Sequence, residues 1–170
     1  ELVGTQANNN GRFWDPIKSP GTWNGSSNLK YLSTQDPAVT GMDDRYDQIL
    51  LSASLVDGVG LDYLGNPNIP YSTTVWNDPN HSYRAWGNDG TSFGNPLTIS
   101  GNTMVGPTVA QAIYNCAAVS STGGHIPVYL DIRVPGKVSA TGAVNFGSVP
   151  VGVGADTPLA VQNVADTALW

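Results

Sequence analysis

The chain has 170 residues, 40% hydrophobic and 12% charged, with 7 basic against 13 acidic residues and a formal net charge of −6. A chain of this length can bury roughly 70% of its extended surface, so one domain, or one domain and part of another, is expected rather than disorder. The basic residues Arg12, Lys18, Lys30, Arg45, Arg84, Arg133 and Lys137 are scattered, which argues against a scaffold that grips nucleic acid by counterion release. A single cysteine, Cys116, excludes an internal disulfide framework and a multi-cysteine metal site. No window approaches the ~20 apolar residues of a spanning helix. Glu1 is the only glutamate, and Gly, Asn, Ser and Thr fill the place of helix formers. The expectation is β structure with long loops. The low-charge, Asn/Gly/Thr-rich composition fits a secreted bacterial protein, and the opening at Glu1 reads as mid-domain sequence in a mature or cut product.

In chain order, residues 1–44 are dense in turn formers: Asn8-Asn9-Asn10-Gly11, then Ser19-Pro20-Gly21. Trp14 and Trp23 are expected to pack this long loop onto a core. Residues 45–52 alternate, with Tyr46, Gln48 and Leu50 on one side and Asp47, Ile49 and Leu51 on the other, and predict a strand. Residues 53–64 predict a turn and a second strand, 65–82 a Pro/Asn-rich loop, and 83–103 an irregular stretch. Residues 108–118 predict a helix after Pro107, capped by Thr108 or Gly106, with Val109, Ile113 and Cys116 as its apolar stripe. Residues 128–134 predict a strand, which Pro135-Gly136 ends. Beyond it, Val144, Phe146, Val149, Val151, Leu159 and Val161 read as the first strands of a β-sandwich. The division is therefore 1–135 and 136–170.

Few residues here suit chemistry. Asp47 and His125 are both placed at strand ends, and the two strands are expected in one sheet. An Asp that accepts from one imidazole nitrogen fixes the tautomer and raises the basicity of the other. The alternative is a turn aspartate and a surface histidine. Asp43, Asp44 and Asp47 lie within five residues and offer carboxylates for a hard cation, or a solvated run part-neutralised by Arg45. Asn88-Asp89-Gly90 reads as a turn, or as an oxygen-ligand loop. His81 reads as exposed and inert, and Cys116 as a buried thiol.

The segment Gly41-Met42-Asp43-Asp44-Arg45-Tyr46-Asp47-Gln48-Ile49-Leu50-Leu51-Ser52 resembles the late strand motif of the endonuclease/exonuclease/phosphatase superfamily, the DNase I-like fold. Tyr83-Arg84-Ala85-Trp86-Gly87-Asn88-Asp89-Gly90 resembles a loop of its secreted bacterial members, and Thr34-Gln35 fits them too. His125-Ile126-Pro127-Val128-Tyr129 resembles the closing Ser-Asp-His-x-Pro-Val motif. The resemblance implies an α+β fold over residues 1–135: the C-terminal half of a two-sheet sandwich, mostly β with long loops and one short helix. It implies catalytic roles for Asp47, which orients the histidine, and for His125, which contacts the scissile phosphate. Arg45, Asn88 and Asp89 fall on the substrate side. Gly123-Gly124 stand where Ser-Asp is expected, so no metal ligand is assigned. Mg²⁺ or Ca²⁺ would serve only a complete domain. Residues 142–163 resemble the opening of an ASPM/SPD-2/Hydin-type immunoglobulin-like module, whose strands would be truncated here.

The implied function is part of a secreted or cell-surface metal-dependent phosphodiesterase or nuclease, with little activity in this chain alone. The alternative is a non-catalytic extracellular module that self-associates through its C-terminal strands. The implied partners are a phosphate-ester substrate and either an N-terminal half or another copy of the chain.

Overall fold

A computed structural model describes residues 13–39, 41–140 and 142–164. The expected turn at Asn8-Asn9-Asn10-Gly11 lies outside them. The architecture is coarsely α+β: one helix, short antiparallel ladders and long loops. The chain divides into two units, Glu1–Arg133 and Val134–Trp170.

The first unit contains β1 (Asp62–Tyr63), β2 (Arg84–Ala85), α1 (Gly106–Ala117), β3 (Val128–Tyr129) and β4 (Ile132–Arg133). β1 pairs antiparallel with β4, Asp62 opposite Arg133, and β2 pairs antiparallel with β3, Ala85 opposite Val128. The expected strand at 128–134 is thus two short strands with different partners. The expected strand at 45–52 does not form, and it shares no sheet with 128–134. Its only bridge is Leu51 to Trp14. Its amides are taken by loops: Arg45 N–H donates to the Trp23 carbonyl at 3.1 Å, and those of Tyr46 and Asp47 to the Thr34 hydroxyl. A segment whose donors are spent on separate loops cannot build a ladder.

Asn, Asp and Ser side chains replace much of the missing ladder. Asn88 Oδ1 accepts from Gly90 N–H, Asp89 Oδ1 from Thr91 N–H, and Asn102 Oδ1 from both Met104 and Val105 N–H. Such local acceptors satisfy loop amides that would otherwise need secondary structure. One core cluster holds Ile17, Leu32, Leu51 and four tyrosines: Tyr31, Tyr63, Tyr71 and Tyr83. Their hydroxyls each find a partner, Tyr31 the Thr74 carbonyl at 2.6 Å and Tyr71 the Trp76 carbonyl. Burial pushes the Tyr63 phenol up to about 12. The second cluster holds Met42, Ala85, Leu97 and Ile126, with Ile113 and Tyr114 of α1 packed against it. Val128 touches both clusters.

Two single-residue expectations are corrected. Cys116 is exposed, not buried. Helix α1 turns Ala110 and Ala117 inward, with Ile113 and Tyr114 partly buried beside them. Cys116 lies about 100° around the helix from Ala117, off that face. His81 is 3% exposed, not a surface residue. Its ring stacks between Tyr63 and Tyr71, and its Nδ1 meets the Tyr63 hydroxyl at 3.2 Å. In the second unit, β5 (Val138–Ala140) pairs antiparallel with β6 (Val161–Asn163). Phe146, Val149, Val151, Leu159 and Val161 are exposed, so the expected sandwich strands reduce to this one ladder.

Burial lowers the pKa of His81, against the opposing pull of the Asp78 carboxylate 3.9 Å away. The unfolded chain then binds more protons than the folded one as pH falls below the ordinary value of 6.5. Stability should therefore fall as pH drops through that range. Urea midpoints measured from neutral to mildly acidic pH check this, and the His81→Gln variant should show a flatter profile.

Candidate active site

Thr34 organises the site. Its side chain is fully buried. Its hydroxyl oxygen accepts from the N–H groups of Tyr46, at 3.1 Å, and Asp47, at 3.0 Å. Its carbonyl accepts from Ile126 N–H at 2.9 Å, and its own N–H donates to the Asp44 carbonyl at 2.8 Å. Gln35 bridges His125 directly. One residue thus fastens the segment that carries Asp47 to the segment that carries His125, 78 positions apart in the chain.

The outcome is direct contact: His125 Nδ1 lies 2.8 Å from Asp47 Oδ2. The two side chains are 45% and 36% exposed, so the pair is open to a ligand. The Asp47 backbone carbonyl also accepts from the buried Tyr83 hydroxyl at 3.3 Å. Tyr46 stands beside the pair, its ring centroid 6.1 Å from that of His125. With Nδ1 committed to the carboxylate, Nε2 is the nitrogen left for a reacting group.

The other assigned residues face inward. Arg45 is 2% exposed. Its guanidinium grips both Asp15 oxygens, at 3.0 and 3.2 Å, donates to the Ser19 hydroxyl, and lies over the Trp23 and Tyr83 rings. Burial disfavours both charges, but their mutual pairing outweighs it, lowering the Asp15 pKa and raising that of Arg45. Asn88 is fully buried and donates to the Lys30 and Ser33 carbonyls, both at 2.9 Å. Asp89 is 5% exposed and accepts from the Thr91 and Thr103 amides and hydroxyls. Burial alone would raise the Asp89 pKa, yet these donors lower it. The side chains of all three are thus engaged in holding loops together, that of Arg45 at a position that also lines a cavity with Trp23 and Tyr46. Asp44 is buried and accepts from Gly25 N–H.

Gly124 decides how the site can be charged. Its φ is +65°, and a Cβ built there would lie 2.8 Å from the Ala117 Cα and carbonyl oxygen. The position beside His125 has no room for a carboxylate while the end of α1 stays where it is. Among the described residues, no group of three His, Cys, Asp or Glu is placed to hold a metal ion. Gly124 therefore offers no side-chain oxygen at the position where the resemblance expects a carboxylate. Tyr46 and Thr34 are the contributors that alternation and spacing did not single out. Their signals were a large aromatic ring next to the key aspartate, and a hydroxyl in a loop with several amides to satisfy. Comparison with models of protein families, with curated proteins and with solved structures found no match.

Thr34→Val keeps the volume and removes the hydroxyl acceptor. It should cost about 1–3 kcal/mol by stranding two amides, and should loosen the His125–Asp47 contact. Chemical denaturation gives the cost. Nitrogen NMR of the His125 ring should show Nδ1 losing its fixed proton. Thr34→Ser should restore both.

Proposed function

We propose that the chain carries the imidazole side of a phosphodiester-hydrolysing site, in a secreted nuclease-like or phosphodiesterase-like protein. The carrying observation is the 2.8 Å contact between His125 Nδ1 and Asp47 Oδ2 at an open surface. Asp47 accepts the Nδ1 proton and directs the imidazole to act through Nε2. In the neutral form Nε2 takes a proton from an attacking water. In the charged form it donates to a phosphoryl or leaving oxygen. The contact also joins the two segments, 41–52 and 125–129, whose motifs carry the DNase I-like resemblance behind this reading.

Acid–base assistance of this kind contributes about 10²–10⁴-fold. That is small against the barrier of phosphodiester hydrolysis. A bound Mg²⁺ or Ca²⁺ would supply charge to the phosphate, but Gly124 has no side chain to ligate one, so the chain alone should turn over phosphodiesters very slowly. Binding is therefore the sharper test. Diethyl phosphate at millimolar concentration should move the His125 ring resonances in NMR, and Asp47→Ala should abolish the change. A His125 ring indifferent to the ligand would remove this reading.

A second reading is a non-catalytic extracellular module that pairs with another copy. It is favoured by the second unit, where β5 and β6 are exposed throughout and Phe146, Val149 and Leu159 join them. A two-stranded ladder is marginal by itself, and its open edges invite strand addition. Truncation after Pro135 should reduce the sedimentation coefficient to that of a monomer. An unchanged oligomeric state would leave the tail a passive segment.

A further inference from the structure

We propose that the cavity beside the Asp47–His125 pair is a stacking subsite for one nucleobase of a short phosphodiester. This rests on the phosphodiester reading above and deepens it by naming the substrate class. The cavity has a volume of about 320 Å³, and its lining includes Trp23, Asn24, Arg45, Tyr46 and Gln48. Tyr46 and Gln48 flank Asp47 in the chain. Tyr46 also lies against the His125 ring. A group held in the cavity is therefore one side chain away from the imidazole.

The lining suits a planar, uncharged group with polar edges. Trp23 and Tyr46 supply two aromatic rings, and every base offers a π-face to such rings. Trp23 is held firmly: its indole N–H donates to the Ser19 carbonyl at 2.6 Å, and the Arg45 guanidinium lies 5.2 Å from the ring centre. A platform fixed before binding costs less ordering entropy when a ligand arrives. Asn24 and Gln48 each carry an amide with donors and an acceptor, the complement of a base edge.

Charge separates this cavity from the phosphate position. Among the described residues Arg45 is its only cation, with its guanidinium committed to Asp15 and Ser19, and Asp44 adds a carboxylate that accepts from Gly25 N–H. Nothing in the lining offers a free positive charge to a phosphate, so the phosphate belongs at His125 and the base in the cavity. A duplex fits poorly, because its bases are already stacked and must be pulled out at a cost of a few kcal/mol. The scattered basic residues would also give little grip on a long backbone. The substrate class is a dinucleotide or the end of a single strand.

The full chain is titrated with the dinucleoside monophosphate ApA, with diethyl phosphate and with adenosine. Tryptophan fluorescence and the His125 ring resonances are read together. ApA should quench the fluorescence and move His125 with one midpoint, at lower concentration than diethyl phosphate moves His125. Adenosine should quench without requiring His125. Trp23→Phe should remove the quenching. Tyr46→Ala, at a residue 59% exposed and so outside the packed core, should weaken ApA about tenfold. If ApA binds no more tightly than diethyl phosphate, or if quenching survives in Trp23→Phe, the subsite is overturned while the phosphodiester reading stands. If ApA and adenosine quench through Trp23 but neither phosphodiester moves His125, the phosphodiester reading falls and the substrate class falls with it.

Discussion

The arrangement of this protein's site depends on what the Thr34 hydroxyl accepts. Two consecutive amides, those of Tyr46 and Asp47, converge on that oxygen, while the Thr34 carbonyl takes Ile126 N–H. Two chain segments far apart in sequence are thereby held at hydrogen-bonding distance without a sheet between them. A strand ladder would have distributed the task over many residues. Here it rests on a short stretch, the buried Thr34 and its neighbour Gln35, which pairs with His125, and an unsatisfied buried amide costs more than a formed bond contributes. The Asp47–His125 contact is a consequence of that junction rather than of regular secondary structure.

The same economy of regular structure runs through the first unit. Its strands are two residues long, so the core cannot be organised by ladders alone. Tyrosines take over part of the work. Each buries a large ring and sends its hydroxyl to a loop carbonyl or to His81, tying loops to the core they cover. The buried Arg45–Asp15 pair acts in the same way at residues 13–19, with Trp23 and Tyr83 on either side of the guanidinium. Removing one member would leave an uncompensated buried charge, a loss of about 3–5 kcal/mol. A core of this type tolerates the many glycines and prolines of the sequence because its fixed points are side-chain hydrogen bonds.

Sequence patterns made some of this legible. The helix was visible from Pro107 and the run that follows, and it forms at Gly106–Ala117. The Asp47–His125 contact was also foreseen, but by the wrong route: alternation at 45–52 suggested a shared sheet, and period-two patterning says nothing about where amides are spent. Arg45, Asn88 and Asp89 read as site residues because they are polar and lie near the motifs. Their burial follows from partners such as Asp15, Lys30 and Thr103, which no local window contains. His81 misled for the same reason, since a loop histidine becomes a core residue only through Tyr63 and Tyr71. Cys116 misled through phase, one residue off the buried stripe of α1. For the loop residues the burial has one cause: long-range side-chain partners decide it in a loop-rich fold.

Gly124 connects the fold to the chemistry. The backbone leaves the end of α1 and reaches His125 through two glycines at positive φ, where a Cβ at Gly123 would meet Val39 and one at Gly124 would meet Ala117. That tight passage lets Ile126 reach Thr34 and so places the imidazole. It also occupies the volume in which a neighbouring carboxylate would stand. An anion beside His125 would hold the imidazole in its charged form and repel a phosphate, unless a cation lay between them. Among the described residues, the anion in contact with the ring is Asp47, on Nδ1. The opposite nitrogen is not paired with a described carboxylate. The ring nitrogen opposite Asp47 thus belongs to a side chain 45% exposed, and any group that meets it there must displace water from the pair.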